Sequence, residues 1–324
     1  MPKIRGMSTL RRWKIVLTSL LLASAACVAA LGWNYVRHDQ EHGNLTDDTR
    51  KSLPGSFVRL NDGTTHYELA GPSEAPTVVL IHGFSIPEYL WDRTFTPLVS
   101  AEFRVLRYDL YGRGYSDRPD VTYDSNLFDR QLLQLLAALR ISGPIHLVGC
   151  SMGGPIAVSF AARHPERVRS VTLIGPGYFS GGELPFRLRA PVIGEYTMAV
   201  SLAPNLPMMQ RADLYHPERF PEYVENYRPQ MQYTGFRSAL LSTLRHYVLV
   251  DSSEDYRKLG QTRIPVLLLW GRFDQDVPLA LSKRVMADVP QAKLHIIDDS
   301  AHVPHYEHPE IVNPLLVAFL RETS

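Results

Sequence analysis

The chain has 324 residues, 45% hydrophobic and 21% charged, an ordinary globular composition that excludes a disordered or fibrous protein. Its formal charge is only +1, and Lys3, Arg5, Arg11, Arg12, Lys14 and Arg37 stand in the first 37 residues with no acid among them. Setting those six aside leaves 28 basic against 33 acidic residues, so a basic face for nucleic acid is excluded.

No charged residue occurs from Ile15 to Val36. A helix needs about 20 apolar residues to span a bilayer. Trp13, Trp33 and Tyr35 lie at the ends of this run, where amphipathic aromatics favour the interface. Basic residues before it put the N-terminus in the cytoplasm. Residues 1–37 therefore read as a membrane anchor, with the remainder on the extracytoplasmic side. A signal peptide cleaved near Ala23-Ser24-Ala25, leaving a secreted or periplasmic domain, is the alternative. The two cysteines, Cys27 in this leader and Cys150 in a buried motif, are not expected to pair. Residues 38–55 are polar, with Pro54-Gly55, and read as a linker.

From Phe57 onward, short β-branched runs alternate with helical patterns. Phe57–Leu60 and Thr64–Leu69 flank Asn61-Asp62-Gly63, a hairpin turn. Strands are predicted at Thr77–Ile81, Arg104–Tyr108, Ile145–Val148, Val168–Ile174, Val266–Trp270 and Lys293–Ile297. Helices are predicted at Leu127–Leu139, Met152–Arg163, near Leu279–Ala287, and at Glu310–Arg321. This order means an α/β domain, a mainly parallel sheet with helices on both faces. The core comprises 56–176 and 263–324. Between them, residues 177–262 are rich in Pro, Met and aromatics and read as a helical cap, with Met208 and Phe220 proposed to line an apolar pocket.

Gly149-Cys150-Ser151-Met152-Gly153 fits G-x-S-x-G between a strand and a helix. A sharp turn there points a serine hydroxyl off the sheet, and its neighbours must be tiny because backbone crowds them. Gly149, Gly153 and Gly154 meet that need.

With His82-Gly83-Phe84, Asp109 to Ser116, Gly271-Arg272-Phe273-Asp274 and Ser300-Ala301-His302, this motif makes the chain resemble the α/β-hydrolase fold family from Phe57 to Arg321, in its serine-nucleophile, esterase- or lipase-like branch. The resemblance implies an α/β-hydrolase fold and a triad of Ser151, Asp274 and His302, in that chain order. Ala301 departs from the family, where Gly is more usual. His305 and His308 are rival bases, and Asp276 is a rival acid better suited to capping the next helix. The resemblance also implies an oxyanion hole from the backbone N–H groups of Phe84 and Met152. His82 is read as structural, and the Asp109 loop as scaffold with Tyr111 near the pocket. No metal or cofactor is expected, since no cluster has ligand spacing and no phosphate loop is present.

A serine nucleophile disfavours the family's dehalogenase and epoxide hydrolase activities, which use Asp. The expected activity is hydrolysis of carboxylic esters of apolar acyl groups through an acyl-enzyme, on a small ester or lipid substrate. The alternatives are a carbon–carbon bond hydrolase of ring-cleavage products, and a non-catalytic ligand-binding protein.

Overall fold

The computed structural model describes the chain from Thr9 to Ser324; Lys3 and Arg5 lie outside the described residues. Eight strands form one sheet in the order β1-β2-β4-β3-β5-β6-β7-β8. They are β1 Ser56–Arg59, β2 Thr64–Ala70, β3 Thr77–Ile81, β4 Arg104–Tyr108, β5 Ile145–Cys150, β6 Val168–Ile174, β7 Val266–Gly271 and β8 Ala292–Ile297. β1 and β2 form the predicted antiparallel hairpin, closed by Leu60 N–H to the Gly63 carbonyl at 2.8 Å, and β2 is antiparallel to β4. All other pairings are parallel.

Alternation along each strand feeds two cores, because successive side chains point to opposite faces. Val79 and Ile81 of β3 join Leu147 and Leu268 under the helices Ser125–Ala138 and Gly153–Arg163. Val78 and Leu80 join Val148, Leu267 and Leu269 under the helices Asp92–Ser100 and Pro309–Glu322. Full burial of each such side chain contributes about 1.5–3 kcal/mol.

Strand order reverses between β3 and β5: the chain leaves β3 toward β4 and returns to build β5 on the other side. Such a switch opens a crevice at the carboxyl ends of the strands. The loops carrying Phe84 and Ser151 leave the sheet on either side of it.

Between β6 and β7 the chain forms short helical pieces, from Phe186–Arg189 to Ser253–Gly260, including two π-turns. The last helix departs from the sequence reading. Tyr256 and Leu259 are buried in the core beside Gly153–Arg163, so Ser253–Gly260 lies with the sheet and the boundary at Thr262 is too late.

The linker reading also needs correction, because residues 38–55 are held to the domain. Glu41 accepts from the backbone N–H groups of Gly235 and Arg237 at 3.0 and 2.6 Å, and Arg50 is buried on Asp117. Before them, a single helix, Thr9–Arg37, stands out from the domain; its Arg11–Arg37 stretch has a mean hydropathy of 2.3 and is long and apolar enough to cross a membrane. Its last turns touch the segment above the sheet, where the Asn34 side chain donates to Tyr196 Oη at 2.9 Å. Cys27 is exposed on this helix and Cys150 is buried in β5, both as free thiols.

Candidate active site

Ser151 follows β5 directly and has φ +55°, a left-handed conformation costly for a residue with a side chain. Three backbone hydrogen bonds hold it: its N–H donates to Ile174, and its carbonyl accepts from Gly154 and Gly177, each at 3.0 Å. The turn is compressed as well. A Cβ at Gly153 would stand 2.2 Å from the Ile81 carbonyl oxygen, so only glycine lets the helix start this close to β3. The Met152 amide begins that helix and has no carbonyl one turn back to bond. Gly83, Phe84 and Met152 border the same cavity as Ser151.

His302 follows β8 and Asp274 follows β7, and the two meet: Nδ1 of His302 lies 2.9 Å from Asp274 Oδ2. The other Asp274 oxygen accepts from the backbone N–H groups of Asp276 and Val277 at 3.0 and 2.8 Å. The capping role expected of Asp276 is therefore filled by Asp274 itself. One carboxylate closes the turn and faces the imidazole, so its orientation is fixed by backbone.

Gly175, at the end of β6, has φ +46°, and a Cβ there would come 2.9 Å from the Asp274 carboxylate. The pair passes over this point, and nothing in the sequence marked it. Glu307 was also missed: its carboxylate accepts from Ser300 Oγ, Ala301 N–H and Tyr215 N–H at 2.7–2.8 Å, bracing the His302 loop.

The rival histidines separate from the site. His305 is buried against Trp91, with ring centroids 4.6 Å apart, and burial pushes it down to about 3, so it stays neutral. His308 bonds Glu310 and the Asp299 carbonyl. His82 sits between the Gly83 carbonyl and the Leu110 N–H, and burial pushes it down to about 4; it braces loops, as expected. Arg113 donates from Nε to the Phe84 carbonyl at 2.7 Å and so fixes the loop bearing the Phe84 amide. Tyr111 is not near the pocket: its hydroxyl donates to the Gly63 carbonyl.

Burial resists charging His302, but the hydrogen bond and charge of Asp274, with Asp213 and Asp276 behind it, raise it to about 9. Asp213 comes from the segment above the sheet and escaped the sequence reading. Its carbonyl accepts from the His302 N–H at 2.9 Å, and its carboxyl accepts from Tyr223 Oη at 2.9 Å. Burial, together with the nearby Asp276, pushes the Asp213 carboxyl well above the usual range, although His302 pulls the other way. The Ser151 hydroxyl makes no hydrogen bond to the imidazole here. Such contacts often tighten only around substrate.

The cavity holds about 310 Å³. Above the sheet it is walled by Leu206, Met209, Leu244 and Val248. The two predicted pocket residues are not in its wall. Met208 points outward and is 58% exposed, because adjacent positions on a helix point about 100° apart. Phe220 is buried instead under Arg93 and against Tyr306, 4.7 Å and 5.8 Å away. Among the described residues, no group of His, Cys, Asp and Glu is arranged to hold a metal ion.

Comparison with known proteins agrees with this architecture. A family model for the alpha/beta hydrolase fold matches residues 76–309. A 2-hydroxy-6-oxononadienedioate/2-hydroxy-6-oxononatrienedioate hydrolase of Burkholderia vietnamiensis is 32% identical over 285 residues, covering 84% of this chain and 97% of the relative. The Cupriavidus pinatubonensis hydrolase of the same name is 31% identical, covering 82% and 94%. Among solved structures, an esterase from Thermogutta terrifontis superposes with a TM-score of 0.71 at 24% identity, over 83% of this chain and 99% of that one, a likeness of fold. The chain belongs to the alpha/beta hydrolase fold family, and it is a hydrolase.

Proposed function

We propose that the chain is a serine hydrolase that cleaves the bond beside a carbonyl carbon. Ser151 Oγ adds to that carbon and gives its proton to His302. Asp274 holds the imidazole in the right tautomer and stabilises its charged form. The N–H groups of Phe84 and Met152 receive the developing oxyanion. Collapse breaks the bond to the leaving group, which takes the proton from His302. Water, activated by the same base, then hydrolyses the acyl-enzyme. The observation that carries this reading is the His302–Asp274 pair at 2.9 Å in the wall of the cavity that holds Ser151.

The relatives' names favour a ketone as the electrophile, with a carbon–carbon bond broken in a ring-cleavage product. The apolar wall of Leu206, Met209, Leu244 and Val248 favours the second reading, an ester of an apolar acyl chain. The two are separated by assaying vinylogous 1,5-diketones beside p-nitrophenyl esters of graded length. Turnover of the diketones alone selects the first, and turnover of the esters alone the second. Absence of both, with no fluorophosphonate label on Ser151, rejects the serine mechanism.

We further propose that residues 1–37 anchor the protein, with the hydrolase domain on the extracytoplasmic side; a cleaved signal segment is the alternative. The support is the apolar helix Thr9–Arg37, whose most apolar stretch is left unburied by the domain that its last turns touch. Carbonate-washed membranes should retain the full chain and release a chain beginning at His38.

A further inference from the structure

A carboxylate taken out of water needs a cation or several donors to replace its hydration. The relatives' names end in dienedioate, a substrate with two carboxylates. Among the described residues, no Lys or Arg lines the cavity around Ser151. Arg113, which holds the Phe84 loop and is buried, donates from each of its three nitrogens to the Phe84 and Tyr111 carbonyls and to Thr243. The acidic and basic side chains in the wall are Asp213, Asp276 and His302.

The balance is negative in every protonation state that matters. A charged His302 is already matched by Asp274 at 2.9 Å. Asp276 then stands uncompensated, with Asp213 beside it. Even with Asp213 carrying a proton, two carboxylates face one imidazolium. A substrate anion that captured the charged imidazole would also hold it in the form that cannot take the Ser151 proton. The rest of the wall is mainly aliphatic and aromatic; its neutral polar side chains are few, and of these Tyr223 already donates to Asp213 and Gln210 to the Leu206 carbonyl.

We infer that the cavity takes acyl compounds whose chain carries no carboxylate, and that Asp213, reaching over His302 from the cap, excludes anionic ones together with Asp276. This rests on the proposed chemistry at Ser151 and narrows its substrate class. The chain then shares its fold with the dienedioate hydrolases but serves an uncharged ketone or ester.

The test uses the full chain and matched pairs. p-Nitrophenyl hexanoate and mono-p-nitrophenyl adipate differ by one terminal carboxylate. The neutral ester should be favoured in kcat/KM by about 100-fold, since the anion finds no partner on leaving water. Asp213→Asn keeps an oxygen for Tyr223 and should raise the anionic substrate at least fivefold more than the neutral one. Asp276→Asn, at an exposed position, should do the same to a smaller degree. An equal or faster rate on the adipate ester in the wild type would overturn the inference, as would an unchanged ratio in both variants. Calorimetric binding of heptan-2-one and 6-oxoheptanoate reads the same preference without turnover. Tighter binding of the ketone supports the inference, and equal or tighter binding of the keto acid sinks it. Fluorophosphonate labelling of Ser151 is scored separately. Loss of labelling with the charge preference intact counts against the serine mechanism alone, and labelling without the preference counts against this inference alone.

Discussion

The crevice edge of the sheet and the helical segment above it are built to different tolerances. At the edge, Ser151 has its backbone tied at both N–H and carbonyl, and Gly153 and Gly175 have no room for one more carbon. Above it, pieces of three to eight residues carry π-turns, Val192 sits 79% exposed at φ +66°, and Met208 and Met209 are half in water. Groups that move protons must be placed within fractions of an ångström. Groups that choose a substrate need only shape and charge, which a looser assembly can supply and alter.

The largest effect is expected at the proposed nucleophile. Ser151→Ala should lower turnover by about 10³-fold or more and abolish fluorophosphonate labelling, with the melting temperature little changed. Full activity in this variant would remove the edge from the chemistry altogether.

Next come the two carboxylates after β7. Asp274→Asn should cost about 10³- to 10⁴-fold, because the imidazole loses its orienting charge. Asp276→Asn should cost less than about tenfold, since it acts on His302 only through space. The reversed ranking, measured as kcat/KM, would show that the acid is misassigned. pH profiles sharpen the same contrast. His302 is raised to about 9 in the folded protein and must be neutral to act as base, so kcat/KM should climb with pH toward a midpoint near that value. Removing the Asp276 charge takes away a cause of the rise, so the midpoint should move down. A midpoint of 6 to 7 in the wild type would mean the carboxylates do not act on the imidazole.

Gly153→Ala tests the tight side by packing alone. Its Cβ meets backbone rather than a side chain that can swing away. The expected loss is about 3 kcal/mol, seen as a lower denaturation midpoint. A comparable Gly→Ala change at Gly182, whose nearest neighbour is a side-chain carbon 3.7 Å off, should cost far less.

The smallest effect belongs to the loose side. Met209→Ala enlarges the cavity and should shift the preferred acyl length by one or two carbons, at about 0.8 kcal/mol per buried CH₂, while the rate on short esters holds. Met208→Ala should leave the length profile where it was, because that side chain faces water. A shift in both, or in Met208→Ala alone, would show that the segment rearranges around substrate.

Much of the edge could be read in the sequence. Thr77–Ile81, Arg104–Tyr108 and Val168–Ile174 form strands at the predicted bounds, because strands covered on both faces concentrate Val, Leu and Ile in short runs. Ser151 was legible for a related reason: a turn with no room forces glycines at fixed offsets, and those letters can be seen. The segment above the sheet left no such trace. Its helices are too short to show a period, so residue type alone points to Met208 and Phe220, and neither borders the cavity.

What the sequence determined by itself is therefore local: apolar strands, tight glycine turns, an uncharged run of helical length, and the order in which Ser151, Asp274 and His302 follow their strands. What only the tertiary structure decided is which distant groups meet. It brings Asp213 over His302 across 88 intervening positions, puts Glu307 beneath the histidine loop, and leaves the cavity wall without a lysine or arginine among the described residues. A charge cluster depends on distances in space, and spacing along the chain carries no record of them until the chain has folded.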